Sequence, residues 1–435
     1  MGDMWIAFGL LFALILMRMP IGLAMLAVGL VGFADQVSWR AAMAMLGSTV
    51  FDAARSYTLS VLPLFIVMGN LLTRAGVSRE LFDAAYAVLG HRRGGLAMAT
   101  ILAAGGFSAV SGSSLATAAT MAKVAMPEMR RYGYAPGFAA GAVAAGGTLG
   151  ILIPPSVILV IYGLLTQSDI GKLFIAGILP GLLGVAMYVA AAAAATTLRP
   201  GLGAPGERQA LAARLHALRG VAPTLCLFVL ILGGIYIGVF TPTEAAGVGA
   251  VVALAMAVVR GTVGPRQILA ALIESGRTTA ILFTVIMGAL VFGNLVNIAG
   301  FPDVLHDLVE GARLGPWAVV TLIAALYLVL GCVLESLSMI LLTVPVFYPL
   351  VQTLDLGLDA DATLIWFGIV VVVATEISLL TPPIGMNVFV LRGLLPDVPL
   401  GAIYRGVTPF WLADIIRLCA ILYLPGISLF LPGMM

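Results

Sequence analysis

Apolar residues along this chain come in continuous blocks rather than in alternation, and several blocks are long. Residues 173–198 and 222–240 approach or exceed the roughly 20 residues with which a helix crosses the hydrocarbon layer. Strands of a closed barrel would instead alternate polar and apolar positions over about 10 residues. The pattern predicts an all-α polytopic membrane protein. Shorter apolar segments at 4–17 and 21–34 flank Arg18-Met19-Pro20 and predict two helices meeting at a proline turn. A polar connection is expected at 35–57, then a span at 59–73, an amphipathic piece, and the turn GHRRGG at 90–95.

The stretch 105–155 breaks this regularity. It begins GGFSAVSGSSLATAAT and ends GTLGILIPPS, so small hydroxyl residues, glycines and a double proline sit in otherwise apolar sequence. Lipid cannot hydrogen-bond freed amides and carbonyls, so backbone this irregular is tolerated at membrane depth only when buried in protein or lining a cavity. The stretch therefore reads as half of a solute and ion site.

A second copy lies downstream. MGNLLTRAG at 68–76 aligns without gaps to FGNLVNIAG at 292–300, an offset of 224. Leu81 and Asp83 match Leu305 and Asp307 at the same offset, Pro20 matches Pro242 at 222, and Pro154-Pro155 match Pro382-Pro383 at 228. Duplicated, interrupted hydrophobic segments mark secondary transporters, with the site between the repeats. The organisation read from this is a first repeat at 1–198, with a hairpin at about 95–127 and a broken helix at about 137–166. A basic cytoplasmic loop follows at 199–220, then a second repeat at 221–435 with a hairpin at about 317–350 and a broken helix at about 362–391.

Charge assigns each copy a direction. Arg74, Arg79, Arg92 and Arg93 outweigh Glu80 and Asp83 before the first interrupted segment, and Arg130 and Arg131 follow it. The corresponding flanks of the second copy carry Asp303, Asp307 and Glu310 against Arg313, then Asp355, Asp359 and Asp361. Because Lys and Arg are retained on the cytoplasmic side, the repeats are expected to be inverted. Each interrupted segment has like-charged ends, which describes a re-entrant hairpin that enters and leaves on one side. The scheme places 199–220, 260–277 and 392–405 inside, with the N-terminus outside and Arg18 inside.

Composition narrows the classes. Of 435 residues, 61% are hydrophobic and 10% charged, with mean hydropathy +1.13, far from a soluble domain's quarter of charged residues. A net charge of +2 without a basic, aromatic-laced stripe excludes a nucleic-acid partner. Cys226, Cys332 and Cys419 stand apart without metal-ligand or redox spacing and read as buried packing, so no transition-metal site and no cofactor is expected. The N-terminal stretch lacks a basic n-region and a small-residue cleavage site, so the first helix is expected to stay.

The chemistry should sit at the breaks. Proline lacks an amide hydrogen and blocks the carbonyl four residues earlier, which would free Gly150 and Ile151 before Pro154-Pro155, and Ser378 and Leu379 before Pro382-Pro383. A hard cation takes oxygen donors such as these, so one Na⁺ site is predicted near each break. Thr148 is a candidate ligand at the first, and Thr375, Ser378 and Thr381 at the second. The hairpin tips would complete them with Ser108, Ser111, Gly112 and Ser113, and with Glu335, Ser336 and Ser338. Half-helix N-termini at such tips suit an anionic solute, an organic carboxylate, for which Ser113, Ser114, Ser156, Ser338 and Asn387 are the candidate contacts. Small residues also let membrane helices pack closely, which is the competing explanation for any one serine. Among the charges, Glu335 either lines the cavity or ties its hairpin to a scaffold. Glu376 reads as a brace for the broken helix, with proton carriage the alternative, and Glu244 as a helix cap. Lys123 reads as snorkelling to the cytoplasmic surface.

PLFIVMGNLLTRAG, GHRRGGLA, SGSSLATAAT, PEMRRYGY, LGILIPPSVILVIYG, LFIAGILPG and TPTEAAG, in this order, resemble the large membrane subunit of tripartite ATP-independent periplasmic (TRAP) transporters, the DctM-like family. The resemblance covers nearly the whole chain. It implies Na⁺-driven import of organic acids (a C4-dicarboxylate, sialic acid or similar carboxylate) across a bacterial inner membrane. It also implies two partners, a periplasmic substrate-binding protein and a small four-helix membrane subunit, and an elevator movement of hairpins and broken helices against a scaffold. The implied cation sites fall on Ser108–Ser114 with Thr148–Pro155, and on Glu335–Ser338 with Thr375–Pro383. A stand-alone ion-coupled dicarboxylate carrier shares inverted repeats and is the alternative. An intramembrane enzyme is more remote, because there is no HExxH, no clustered His and Cys, and no phosphate loop.

Overall fold

Glycines, prolines and short hydroxyl side chains set the helix ends in the computed structural model, which describes residues 2–435. The described residues form helices and no strand. Among the described residues, six helices are long and apolar enough to cross a membrane: Ile170–Leu198, Leu211–Tyr236, Pro242–Val259, Pro265–Ile298, Ala360–Ser378 and Leu400–Tyr423. Shorter apolar helices fill the space between them.

At the N-terminus, Gly2–Leu16 and Ile21–Gln36 fold back on each other around Arg18, whose φ of 67° lies in the left-handed region. Ile21–Gln36 lies along Pro265–Ile298, and small residues bring the backbones together. A Cβ on Gly22 would lie 2.7 Å from the Val285 Cα, and one on Gly29 2.8 Å from the Phe292 nitrogen. The repeat-related pair, Val61–Arg74 and Pro242–Val259, also packs together, with Gly249 admitting the Met68 side chain rather than backbone.

The expected polar connection at 35–57 is instead largely a helix, Trp39–Arg55, capped by Ser38, whose Oγ accepts from the Ala41 amide at 3.3 Å. Its polar residues occupy one face, and it meets Thr58–Arg74 at a 58° bend. The basic loop is also shorter than 199–220, since the helix Leu211–Tyr236 begins inside it. Arg214 and Arg219 ride on that helix's first turns, interleaved with Leu211, Leu215 and Leu218.

The first hairpin comprises Gly95–Ser111 and Ser114–Arg131, turning through Gly112 at φ 58° and Ser113, whose Oγ caps the second arm by accepting from Ala116 N. The second comprises Pro316–Leu330 and Ser336–Gln352, with Glu335 as the cap of its second arm. The first broken helix is Pro136–Thr148, a 3₁₀ turn Leu149–Ile151, and Val157–Thr166. The second is Ala360–Ser378 and Met386–Leu394, restarted by Gly385 at φ 55°. Both Pro–Pro bonds at the breaks are cis.

Two ion pairs establish that the repeats are inverted. Arg130, at the base of the first hairpin and the start of the first broken helix, holds Asp397, just past the end of the second, at 2.9 Å. Lys172, just past the end of the first broken helix, holds Asp361, at the start of the second, at 2.6 Å. The two broken helices therefore run in opposite directions. The basic loop closes over the first hairpin's base through Gly94 N to Gly203 O, Gly206 N to Gly90 O and Ala135 N to Leu202 O, so the arginine-rich regions gather on one side.

The cysteine expectation holds for Cys332, which is buried, but Cys226 and Cys419 are exposed. They sit on spanning helices, where apolar sequence marks a surface that faces lipid as readily as a core.

Candidate functional site

The two hairpin tips meet at one cavity of about 460 Å³. Ser111, Gly112, Ser113 and Ser114 contribute from the first tip and Glu335, Ser336 and Leu337 from the second, with Ile151 and Val157 from the first break. The opposite wall is formed by helices outside the hairpins: Asn70 and Thr73 on Val61–Arg74, and Glu274 and Thr278 on Pro265–Ile298. The second arms of both hairpins start at this cavity, so two helix N-termini, with their unsatisfied amides and partial positive charge, open towards it.

Each tip rests on the break of its own repeat. A Cβ on Gly150 would lie 2.8 Å from the Ser113 carbonyl carbon, and one on Gly331 2.0 Å from the Ser378 Oγ. Only hydrogen fits in either place. Within the first tip the Ser111 and Thr117 hydroxyls are 2.5 Å apart, and the Ser111 Oγ donates to Ser113 O at 3.3 Å. In the second, the Glu335 carboxylate accepts from the Ser338 amide and hydroxyl, both at 3.3 Å. Glu335 thus lines the cavity, and its hydrogen bonds stay inside its own hairpin rather than reaching a scaffold.

Of the residues read from sequence, Ser111, Gly112, Ser113, Ser114, Ile151, Glu335 and Ser336 form cavity wall. Others sit behind it with local partners. Ser108 donates to Ala104 O and Thr375 to Val371 O, each one turn back along its own helix, and Thr381, just past the end of Ala360–Ser378, donates to Ile377 O. Ser378 donates to Thr375 O, and Thr148 to Ala145 O. Ser156 caps Val157–Thr166, accepting from Leu159 N at 3.2 Å. Asn387 donates across to Ala144 O at 3.1 Å, tying the second break to the first broken helix.

The carbonyls at the breaks are less free than proline chemistry alone predicts. Ile151 O accepts from the Ser156 hydroxyl, Ser378 O from Thr381 N at 3.1 Å, and Leu379 O from Asn387 N at 3.2 Å. A carbonyl oxygen has two lone pairs, so each keeps one for another partner. Outside the second break, Tyr404 donates to Pro383 O at 2.9 Å and Trp411 to the Thr381 hydroxyl at 2.9 Å.

Sequence reasoning passed over two groups. Asn70, in the cavity wall, donates to Ser275, the neighbour of the wall residue Glu274, which pairs with Arg74 at 2.7 Å. The second group is a buried network: Glu376 and Asp414 both pair with Arg417, Tyr188 donates to Asp414, and the Tyr188 and Thr148 hydroxyls lie 3.1 Å apart. It connects the two broken helices through Ile170–Leu198 and Leu400–Tyr423. Glu376 is the brace expected, and the unread signal was Asp414 and Arg417, two charges three residues apart in a spanning helix. Glu244 does cap its helix, in a reciprocal box with Thr241.

The family model described as the tripartite ATP-independent periplasmic transporter DctM component matches residues 8–427. The C4-dicarboxylate TRAP transporter large permease protein DctM of Pseudomonas aeruginosa is 39% identical over 387 residues, 88% of each chain. The sialic acid TRAP transporter large permease protein SiaM of Vibrio cholerae is 34% identical over 98% of this chain and 96% of its own. Among solved structures, the Alcanivorax borkumensis YdaH transporter, reported to have an unusual topology, superposes with a TM-score of 0.61 over 91% of this chain and 88% of that one. At 13% identity this is a likeness of fold alone.

Proposed function

This chain belongs to the DctM component family of tripartite ATP-independent periplasmic transporters, and we propose that it imports an organic acid across the bacterial inner membrane with Na⁺. It is a multi-span transporter permease and not an enzyme. A C4-dicarboxylate or sialic acid is the cargo named for its relatives, and the proposal takes a carboxylate of this kind as substrate. The observation that carries the reading is the shared cavity: two hairpin tips and two helix N-termini converge on a space of about 460 Å³, an arrangement suited to a small anion. Glu335, serine hydroxyls and carbonyl lone pairs beside it supply the oxygen donors that a hard cation takes.

The opposite wall, with Asn70 and Glu274, belongs to helices outside the hairpins. Movement of the hairpins and broken helices past that wall would carry the bound solute from one face to the other, an elevator cycle. A periplasmic binding protein would deliver the solute, and a small membrane subunit would brace the immobile helices. Each net positive charge moved inward gains about 2.3 kcal/mol per 100 mV, so coupling more Na⁺ ions than solute charges lets the potential drive import.

Proteoliposomes containing this chain, the small subunit and the loaded binding protein test the proposal. Uptake is expected only with an inward Na⁺ gradient. Equal uptake without Na⁺ would remove the coupling, and full uptake by the chain without a binding protein would replace this reading with a stand-alone carrier.

A further inference from the structure

A second cavity, of about 470 Å³, is almost wholly apolar and opens sideways on the basic side of the molecule. Its walls come from the amphipathic helix Val77–Leu89, the first hairpin arm, Ile170–Leu198 and Leu211–Tyr236, and it ends at Ile153 and Pro154 of the first break. Val88, Leu102, Leu182 and Leu225 line it while remaining 39%, 42%, 58% and 51% exposed. On Leu211–Tyr236 the lining positions are 218, 221, 225, 228 and 232, one face of a helix at steps of three and four. That face is roughly 21 Å long at about 1.5 Å per residue, more than the ~15 Å of one leaflet's hydrocarbon.

Arg214 continues the same face one turn further out, and its buried Nε and Nη2 have no hydrogen-bond partner. The buried Nδ1 of His91, three residues beyond Val88, also has none. Desolvation, then the cationic Arg214, Arg208 and Arg92, hold the His91 imidazole below its ordinary range. A long apolar slot is therefore headed by the unpaired Arg214 guanidinium, which an anion would both satisfy and neutralise, with the unpaired His91 nitrogen beside it.

We propose that this groove binds an anionic phospholipid of the cytoplasmic leaflet, its phosphate at Arg214 and His91 and an acyl chain along Leu218–Leu232 towards Pro154. Basic pockets between spanning helices on the cytoplasmic side are suited to such headgroups, since that leaflet carries the anionic lipids. The acyl chain would touch both the first break and the amphipathic helix that joins Val61–Arg74 to the first hairpin.

Native mass spectrometry of the full chain in detergent, with added phosphatidylglycerol or phosphatidylcholine of matched chains, tests this. The unmodified chain should retain one phosphatidylglycerol with at least tenfold preference over phosphatidylcholine. Arg214→Gln with His91→Gln, changes at partly exposed positions that leave the helix faces intact, should abolish the preference but not all retention. Leu225→Trp, which fills the slot, should abolish retention of both lipids. Retention of phosphatidylglycerol unchanged in both variants would overturn the proposal. So would its competition by inorganic phosphate alone, which would mark a free-anion site. If the chain purified with its membrane partner carries no lipid and Leu225→Trp breaks that complex, the groove is a protein interface and the proposal fails.

Discussion

Asn70 donates through its side-chain amide to the hydroxyl of Ser275, 2.8 Å away and 205 residues along the chain. The repeat reproduces the contact, because Asn294 donates to Thr49 at 3.4 Å. Only the first of the pair stands in the cavity wall. Asn70→Ala should remove a hydrogen bond of about 1 kcal/mol and raise the apparent KM for solute roughly fivefold. Asn294→Ala should leave KM unchanged. Initial uptake rates against solute concentration distinguish the two, and an equal effect of both would mean that the contact serves packing alone.

Arg417, Glu376 and Asp414 are fully buried, and the guanidinium is shared between two carboxylates. Arg417→Met leaves both carboxylates in a dry core without a cation and should destabilise the protein by about 3–5 kcal/mol. Glu376→Gln leaves one guanidinium facing one carboxylate and should cost less. Thermal unfolding of the purified variants in detergent tests the order, and an unchanged transition for Arg417→Met would refute it.

The ion pairs at Asp397 and Asp361 mark opposite sides of the molecule. In a chain freed of Cys226, Cys332 and Cys419, Asp397→Cys should react with a membrane-impermeant thiol reagent only after cells are opened. Asp361→Cys should react in intact cells. Both pairs are partly exposed, so their loss should cost no more than about 1 kcal/mol each. Labelling of both positions from one side would reverse the assignment of inverted repeats.

Gly331 and Gly150 admit no side chain. Alanine at 331 puts a methyl group on the Ser378 hydroxyl, and at 150 on the Ser113 backbone. Overpacking of this kind costs about 1–3 kcal/mol, and it should push each tip off its break. Uptake should be lost in both variants while membrane expression persists. Gly401→Ala, where nothing lies within 4 Å, is the control and should transport normally.

The positions of hairpins and breaks were legible because they follow from local rules. Proline cannot donate, Gly112 tolerates a left-handed turn, and an apolar run of given length spans or fails to span. Helix ends inside polar sequence were harder to read. Trp39–Arg55 and the start of Leu211–Tyr236 lack a continuous apolar run, and packing, with the Ser38 cap in the first case, makes them helices.

The hydroxyls show the limit of such reading. Ser108, Thr375 and Thr381 have the chemistry of ion ligands, yet each donates to a helix carbonyl just behind it in the chain, because a carbonyl one turn away is always within reach. By itself, the amino-acid sequence determined the helical membrane class, the duplication, the two interruptions and the family, all properties carried by composition or by neighbours along the chain. Tertiary structure alone decided that Asn70 and Glu274 face the hairpin tips, that Arg417 sits between Glu376 and Asp414, and which serines meet the cavity. Those relationships join elements up to some two hundred residues apart, and no local rule reports which face of one helix will be pressed against another.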